Sequence, residues 1–211
     1  MSGQCCGEDI KFDGVSTSFK RALWIVIVIN GAMFVVEMMA GFASSSQALK
    51  ADALDFLGDT ITYGFSLFVL GMPIIWRART ALFKGASLAV MGLWVLGSTI
   101  YYTFFSVQPQ AEIMGSVGAL ALAANLLSVV ILLKYRTGDS NVRSVWLCSR
   151  NDAIGNVAVI LAAGGVWASG TAWPDLAVAT IMASLFLWSS FSIIHQARSE
   201  ISEARNASVT V

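Results

Sequence analysis

Six long apolar stretches fill most of this chain of 211 residues. Each is long enough to cross a bilayer as an α-helix, which needs roughly 20 mostly apolar residues. The stretches are residues 22–43, 48–71, 86–107, 112–133, 144–168 and 174–195. Inside a bilayer a helix satisfies its own backbone hydrogen bonds. We therefore predict an all-α integral membrane protein with six transmembrane helices.

The composition supports this fold class and leaves little room for another. Charged residues make up 12% of the chain and hydrophobic residues 56%, whereas a soluble domain is about 25% charged. The net charge is zero and no dense basic cluster is present, so we expect no nucleic-acid partner. We predict one transport domain at residues 22–195, between an N-terminal tail at 1–21 and a short C-terminal tail at 196–211.

The basic residues predict how the helices are oriented. Eleven of the thirteen Lys and Arg residues lie in the tails or in the loops after the second and fourth stretches. The three other loops, around Ser44, Gln108 and Ser169, contain none. Because cytoplasmic loops carry the excess of Lys and Arg, we expect both termini in the cytoplasm.

Acidic residues inside two of the stretches are the strongest functional signal. In the second stretch the spacing places three carboxylates on one helix face: Asp52, Asp55 and Asp59. In the fifth stretch a similar spacing aligns three polar residues: Cys148, Asp152 and Asn156. A charged residue near the bilayer centre costs about 2.5–3.5 kcal/mol on insertion scales, so such residues usually serve a function.

Four of these residues form a candidate metal site. The two stretches cross the membrane in opposite directions, so Asp55, Asp59, Cys148 and Asp152 are expected at similar depth. Carboxylates and a thiolate are suitable ligands for tetrahedral Zn²⁺, and the thiolate disfavours Mg²⁺. Without metal the acidic groups should hold protons, which a metal must displace. The residues therefore predict exchange of a metal for protons.

Several alternatives stay open for the carboxylates and the thiol. Asp52 is a metal contact, a solvated residue or a residue bonded to a helix end. Asp55 and Asp59 are alternatively structural partners of Lys50 or Arg150. Without its relation to Asp152, the side chain of Cys148 would be expected to act as a small core hydrophobe.

Other polar residues have open roles as well. In the first stretch, Asn30 and Glu37 either line an ion path or bond between helices. The single histidine, His195, ends the sixth stretch and is expected at the membrane interface. The adjacent Cys5 and Cys6 either capture metal in the cytosol or belong to a plain tail.

The motifs resemble those of the cation diffusion facilitator family of metal–proton antiporters. The family pattern A-D-A-L-[HD]-x-x-x-D is similar to residues 51–59, ADALDFLGD. Its second pattern, L-H-x-x-x-D-A-x-G, is similar to residues 147–155, LCSRNDAIG. The sequence departs from the family at Cys148, where His is common. It also ends soon after the sixth stretch, so we expect a short form without the family's cytoplasmic C-terminal domain.

The resemblance implies a function and partners. It implies export of Zn²⁺, or of Cd²⁺, Co²⁺ or Ni²⁺, from the cytoplasm in exchange for protons. It further implies a homodimer in the bacterial inner membrane and no prosthetic group. The alternatives are a structural or regulatory membrane subunit without transport, or a proton-coupled transporter of an organic solute. No enzymatic activity is expected, because a hydrolase needs a nucleophile and a base at one depth, and His195 has no such partner.

Overall fold

The computed structural model describes residues 17–68, 74–105, 107–135 and 140–209. Within these ranges the chain is helical between short connections, and no strand occurs. The helices are α1 (Thr17–Ala43), α2 (Gln47–Phe68), α3 (Ile74–Phe105), α4 (Ala111–Leu132), α5 (Ser140–Ser169) and α6 (Trp173–Val209). A short 3₁₀ turn, Leu133–Tyr135, follows α4. The prediction of an all-α protein with six helices is confirmed.

Five of the helices are long and apolar enough to cross a membrane: α1, α3, α4, α5 and α6. Helix α2 differs because Lys50, Asp52, Asp55 and Asp59 fall within ten positions of one another. Helix α2 contacts α1, α3, α5 and α6. This packing shields its polar side chains from lipid. The helix that falls short of the apolar spans is therefore packed against four other helices, as expected for charged groups in a membrane.

The helices extend beyond the apolar stretches at the predicted cytoplasmic side. Helix α3 begins at Ile74 instead of residue 86, and α6 continues to Val209 instead of residue 195. Helix α1 likewise starts at Thr17. Backbone hydrogen bonds propagate a helix regardless of side-chain polarity, so an apolar stretch sets the minimum length of a helix and not its end. One consequence is that Lys84 lies within α3 and not in a loop.

Large apolar side chains cover the outside of the bundle. Val28, Met39, Phe104, Leu161 and Trp188 are each at least 65% exposed. Apolar surface on this scale is unusual for a soluble monomer. It is the expected surface of a protein whose solvent is lipid, so the burial pattern agrees with the sequence prediction of a multi-pass membrane protein.

The start of α2 is held by a residue from α6. The Asp175 carboxylate accepts hydrogen bonds from the Ser46 hydroxyl at 2.6 Å and from the backbone N–H groups of Gln47 at 2.8 Å and Ala48 at 3.0 Å. These N–H groups have no partner within their own helix, and a negative charge suits the positive end of the helix dipole. Asp175 therefore positions the helix that carries the predicted metal ligands.

Candidate metal site

Helices α2 and α5 run antiparallel, and their polar side chains meet in register. Asn156 of α5 donates a hydrogen bond of 2.6 Å to Asp52 of α2. One turn further along, Asp152 is in polar contact with both Asp55 and Asp59. Residue numbers that rise along α2 are therefore paired with residue numbers that fall along α5. The structure brings together three of the four residues predicted to bind metal.

The three carboxylates line one cavity of about 480 Å³. Its lining includes Asp55, Asp59 and Asp152, and all three are partly exposed to it. Residues from α3 and α6, among them Lys84 and Ser192, complete the wall. On α3 and α5 the lining residues lie on the half nearer the predicted cytoplasm, whereas Asp55 lies near the middle of α2.

The fourth predicted ligand, Cys148, has a side chain that lies outside the described residues. Its backbone belongs to α5, next to Ser149. The Ser149 hydroxyl is 3.3 Å from the Tyr63 hydroxyl, and Tyr63 contacts Asp59. The helix backbone at Cys148 is thus at the level of Asp59 and Tyr63. Although Asp55, Asp59 and Asp152 line one cavity, the described side chains form no group of three or more His, Cys, Asp or Glu residues that is arranged to hold a metal ion.

A lysine that the sequence analysis assigned to a loop acts on the same carboxylates. Lys84 of α3 lines the cavity and interacts electrostatically with Asp55 and Asp59. The proposed alternatives were Lys50 or Arg150. Instead, Lys50 places its Nζ 4.7 Å from the Phe42 ring centre and 4.8 Å from that of Tyr102. No pattern in the sequence indicated this role, because Lys84 lies ten residues after the start of α3 and only the structure shows where α3 starts.

Arg150 and His195 are both exposed. The Arg150 guanidinium donates to the Asn151 side chain at 3.4 Å. His195 packs beside Phe191 and is absent from the described lining of the cavity. The interfacial location expected for His195 stays a prediction. Cys5 and Cys6 lie outside the described residues.

A second polar cluster lies beside the cavity, around Asp52. Asp52 is 1% exposed and is therefore not solvated, in contrast to one of the alternatives above. Asn125 of α4 donates a hydrogen bond of 2.8 Å to Asn156, which in turn donates to Asp52. On α1, the carboxyl group of Glu37 faces Asp52. Sequence analysis had singled out Glu37 and Asn156 but not Asn125, whose only signal was an amide in an otherwise apolar stretch.

The cation efflux transmembrane domain is the family model that matches this chain, over residues 23–73 and 78–202. The chain belongs to the cation efflux family. The matched residues contain both motifs noted above and all four predicted metal ligands. The resemblance drawn from those motifs is therefore confirmed.

Individual relatives in this family are similar over most of the chain. The metal cation efflux system protein CzcD of Cupriavidus metallidurans is 28% identical over 77% of the chain. The cadmium, cobalt and zinc/H(+)-K(+) antiporter of Bacillus velezensis is 28% identical over 83%. The zinc transporter ZitB of Escherichia coli is 26% identical over 90%. The aligned regions span 55%, 61% and 65% of the lengths of these three relatives.

Proposed function

We propose that this chain moves divalent metal cations, Zn²⁺ foremost, out of the cytoplasm in exchange for protons. Asp55, Asp59, Cys148 and Asp152 bind the metal during transport. The metal is cargo and not a resident cofactor. The protein works as a homodimer in a bacterial inner membrane, as the family resemblance implies.

The observation that carries this proposal is the meeting of three aspartates from two antiparallel helices in one cavity within the membrane. Asp152 is in polar contact with Asp55 and Asp59, and all three line the cavity. Groups of like charge in this setting repel one another unless a cation or protons neutralise them. A divalent ion and protons are thus alternative partners of the same carboxylates, and this competition is the chemical basis of exchange.

The position of the cavity supports the direction of transport. Its lining residues on α3 and α5 lie in the predicted cytoplasmic halves of these two helices. Metal enters from the cytoplasm and displaces protons from the aspartates. A second conformation must then expose the site on the other face of the membrane, where protons replace the metal. The names of the relatives, which include zinc transport and cadmium, cobalt and zinc antiport, agree with this cargo.

Proteoliposomes with an internal pH dye and an internal Zn²⁺ dye test the proposal. Addition of Zn²⁺ should produce metal uptake together with proton release, and neither signal should occur without metal. A proton-coupled transporter of an organic solute would not need metal, and a non-transporting subunit would give no flux. A panel of Zn²⁺, Cd²⁺, Co²⁺, Ni²⁺ and Mn²⁺ ranks the cargo.

Variants connect this activity to the site. Asp55→Asn, Asp59→Asn and Asp152→Asn each keep the shape of the side chain but remove a charge. Changes to groups that merely surround a metal ligand cost about 10–100-fold in metal affinity, so loss of a ligand should abolish transport. Glu112→Gln is the matched control, because Glu112 is exposed at the start of α4. Normal export by all three Asn variants would exclude this carboxylate site.

A further inference from the structure

We propose that Glu37 and Asp52 form a proton-binding site, separate from the metal cavity, that holds one proton between its two carboxyl groups. Metal binding at the neighbouring Asp55 releases this proton. The inference rests on the proposed metal exchange and adds a specific carrier for one of the protons. Glu37 and Asp52 line no part of the described cavity wall.

The pair is fully enclosed by protein. Glu37 is 0% exposed and Asp52 is 1% exposed. The Glu37 carboxyl group faces Asp52, and neither of its oxygens has a hydrogen-bond donor among the described residues. A carboxylate accepts hydrogen bonds but cannot donate one, whereas a protonated carboxyl group can do both. One proton on Glu37, donated to Asp52, satisfies both groups and removes a buried charge.

The surrounding groups favour a proton over a metal ion. Asn125 donates to the side-chain oxygen of Asn156, which leaves the N–H of Asn156 to donate to Asp52 at 2.6 Å. A metal ion requires lone pairs from its neighbours, but this amide presents a hydrogen. The amide bond stabilises Asp52 as the ionised member of the pair. Glu37, which receives no such bond, is then the member that carries the proton.

The charges around the pair increase the need for a proton. The charged groups that act on Glu37 are Asp52 and Asp55, and both are acidic. Lys50, the nearest basic residue along α2, instead contacts the Phe42 and Tyr102 rings and interacts with Asp175. Helices α4 and α5 contribute the neutral amides Asn125 and Asn156. The pair therefore lies in a negative field while Asp55 is ionised.

Electrostatic contact with Asp55 couples the pair to the metal cavity. Glu37 and Asp52 each interact electrostatically with Asp55, and charges act more strongly on one another in protein than in water. A divalent cation on Asp55 reverses the sign of the local charge. The proton on Glu37 is then no longer needed to neutralise the pair. It leaves as H⁺, and both carboxylates remain ionised beside the metal.

Calorimetry of Zn²⁺ binding measures the predicted proton directly. The full chain is titrated in lipid nanodiscs in several buffers of different ionisation enthalpy, which yields the number of protons released per Zn²⁺. Because bound protons leave when a metal replaces them, we expect Glu37→Gln to release about one proton fewer than the wild type. Zn²⁺ stoichiometry should be unchanged, and Glu112→Gln should match the wild type in both quantities. Equal proton release by Glu37→Gln and wild type would overturn the proposal.

Infrared spectroscopy gives a test that needs no variant. Isotope labelling of the glutamate carboxyl groups shifts their C=O band. The six apolar stretches contain two glutamates, Glu37 and Glu112, of which Glu37 is buried and Glu112 is exposed. Near neutral pH, exposed glutamates are ionised, since their usual pKa is about 4.3. The metal-free wild type should therefore show a label-sensitive band of a protonated carboxyl group that disappears with Zn²⁺. Absence of that band in metal-free protein would refute the proton site.

The same measurement separates this inference from the proposed metal site. Asp55→Asn should keep the labelled band and no longer lose it when Zn²⁺ is added. If Asp55→Asn binds Zn²⁺ like the wild type, the metal site is wrong, whereas the band still reports on Glu37. If metal binding fails as expected but no band is present, only the proton site is wrong.

Discussion

The side-chain amide of Asn156 donates a hydrogen bond of 2.6 Å to the carboxylate of Asp52, and this bond joins the two helices of the metal site. Both residues are buried, at 0% and 1% exposure. The bond sets the register in which Asp152 lies beside Asp55 and Asp59. One amide thus has two consequences: it orients Asp52 towards Glu37 and it aligns the metal ligands.

Replacing this amide should destabilise the bundle. In Asn156→Ala the Asp52 carboxylate loses its donor, and an unsatisfied buried group costs about 1–3 kcal/mol. We expect a loss of about 2 kcal/mol in the free energy of unfolding, measured by denaturant titration in detergent. Asn151→Ala is the control on the same helix, because Asn151 is exposed. Equal stability of the two variants would show that the bond contributes nothing.

Lys84 should weaken metal binding by neutralising the carboxylates. Lys84→Met removes the charge and keeps most of the side-chain volume, so the cavity becomes more negative. We expect Zn²⁺ affinity to rise by about tenfold, which corresponds to about 1.4 kcal/mol. Isothermal titration calorimetry measures the change. Lys20→Met, which removes an exposed charge from α1, should leave the affinity unaltered. A lower affinity in Lys84→Met would contradict this role.

Cys148 should determine which ion the site prefers. A thiolate is a softer ligand than imidazole and favours Cd²⁺ beside Zn²⁺ while it disfavours Mn²⁺. Cys148→His should therefore retain Zn²⁺ transport and lower the ratio of Cd²⁺ to Zn²⁺ transport. Cys148→Ser should impair both ions. Parallel uptake assays with the two ions measure the ratio. Full activity in Cys148→Ala, with an unchanged ratio in Cys148→His, would remove Cys148 from the site.

The orientation of the chain can be tested by labelling with a membrane-impermeant thiol reagent. In a background where Cys5, Cys6 and Cys148 are replaced by Ser, single cysteines at Ser45, Gln110 or Thr171 should react from outside intact cells. Cysteines at Arg79 or Thr137 should react only after the membrane is opened. The physical reason is the absence of Lys and Arg from the loops that contain Ser45, Gln110 and Thr171. External labelling at Arg79 would reverse the topology and the direction assigned to the cavity.

Helix boundaries were predicted less well than helix faces. The apolar stretches located all six helices, but α3 starts at Ile74 and α6 runs to Val209, beyond the predicted spans. Hydropathy reports where a chain meets lipid, whereas backbone hydrogen bonding decides where a helix ends. This difference hid Lys84, because the residue was assigned to a loop by its charge. It is instead a residue of the cavity wall.

The sequence by itself determined the fold class, the family and the faces of α2 and α5 that carry polar groups. Helical periodicity is a local property, so spacing alone aligned Asp55 with Asp59 and Asp152 with Asn156. Only the tertiary structure decided which groups from different helices meet. It paired Asp52 with Asn156 and Glu37, and it placed Asp152 and Lys84 with Asp55 and Asp59. The register between helices depends on the packing of whole surfaces, and no single spacing along the chain encodes it.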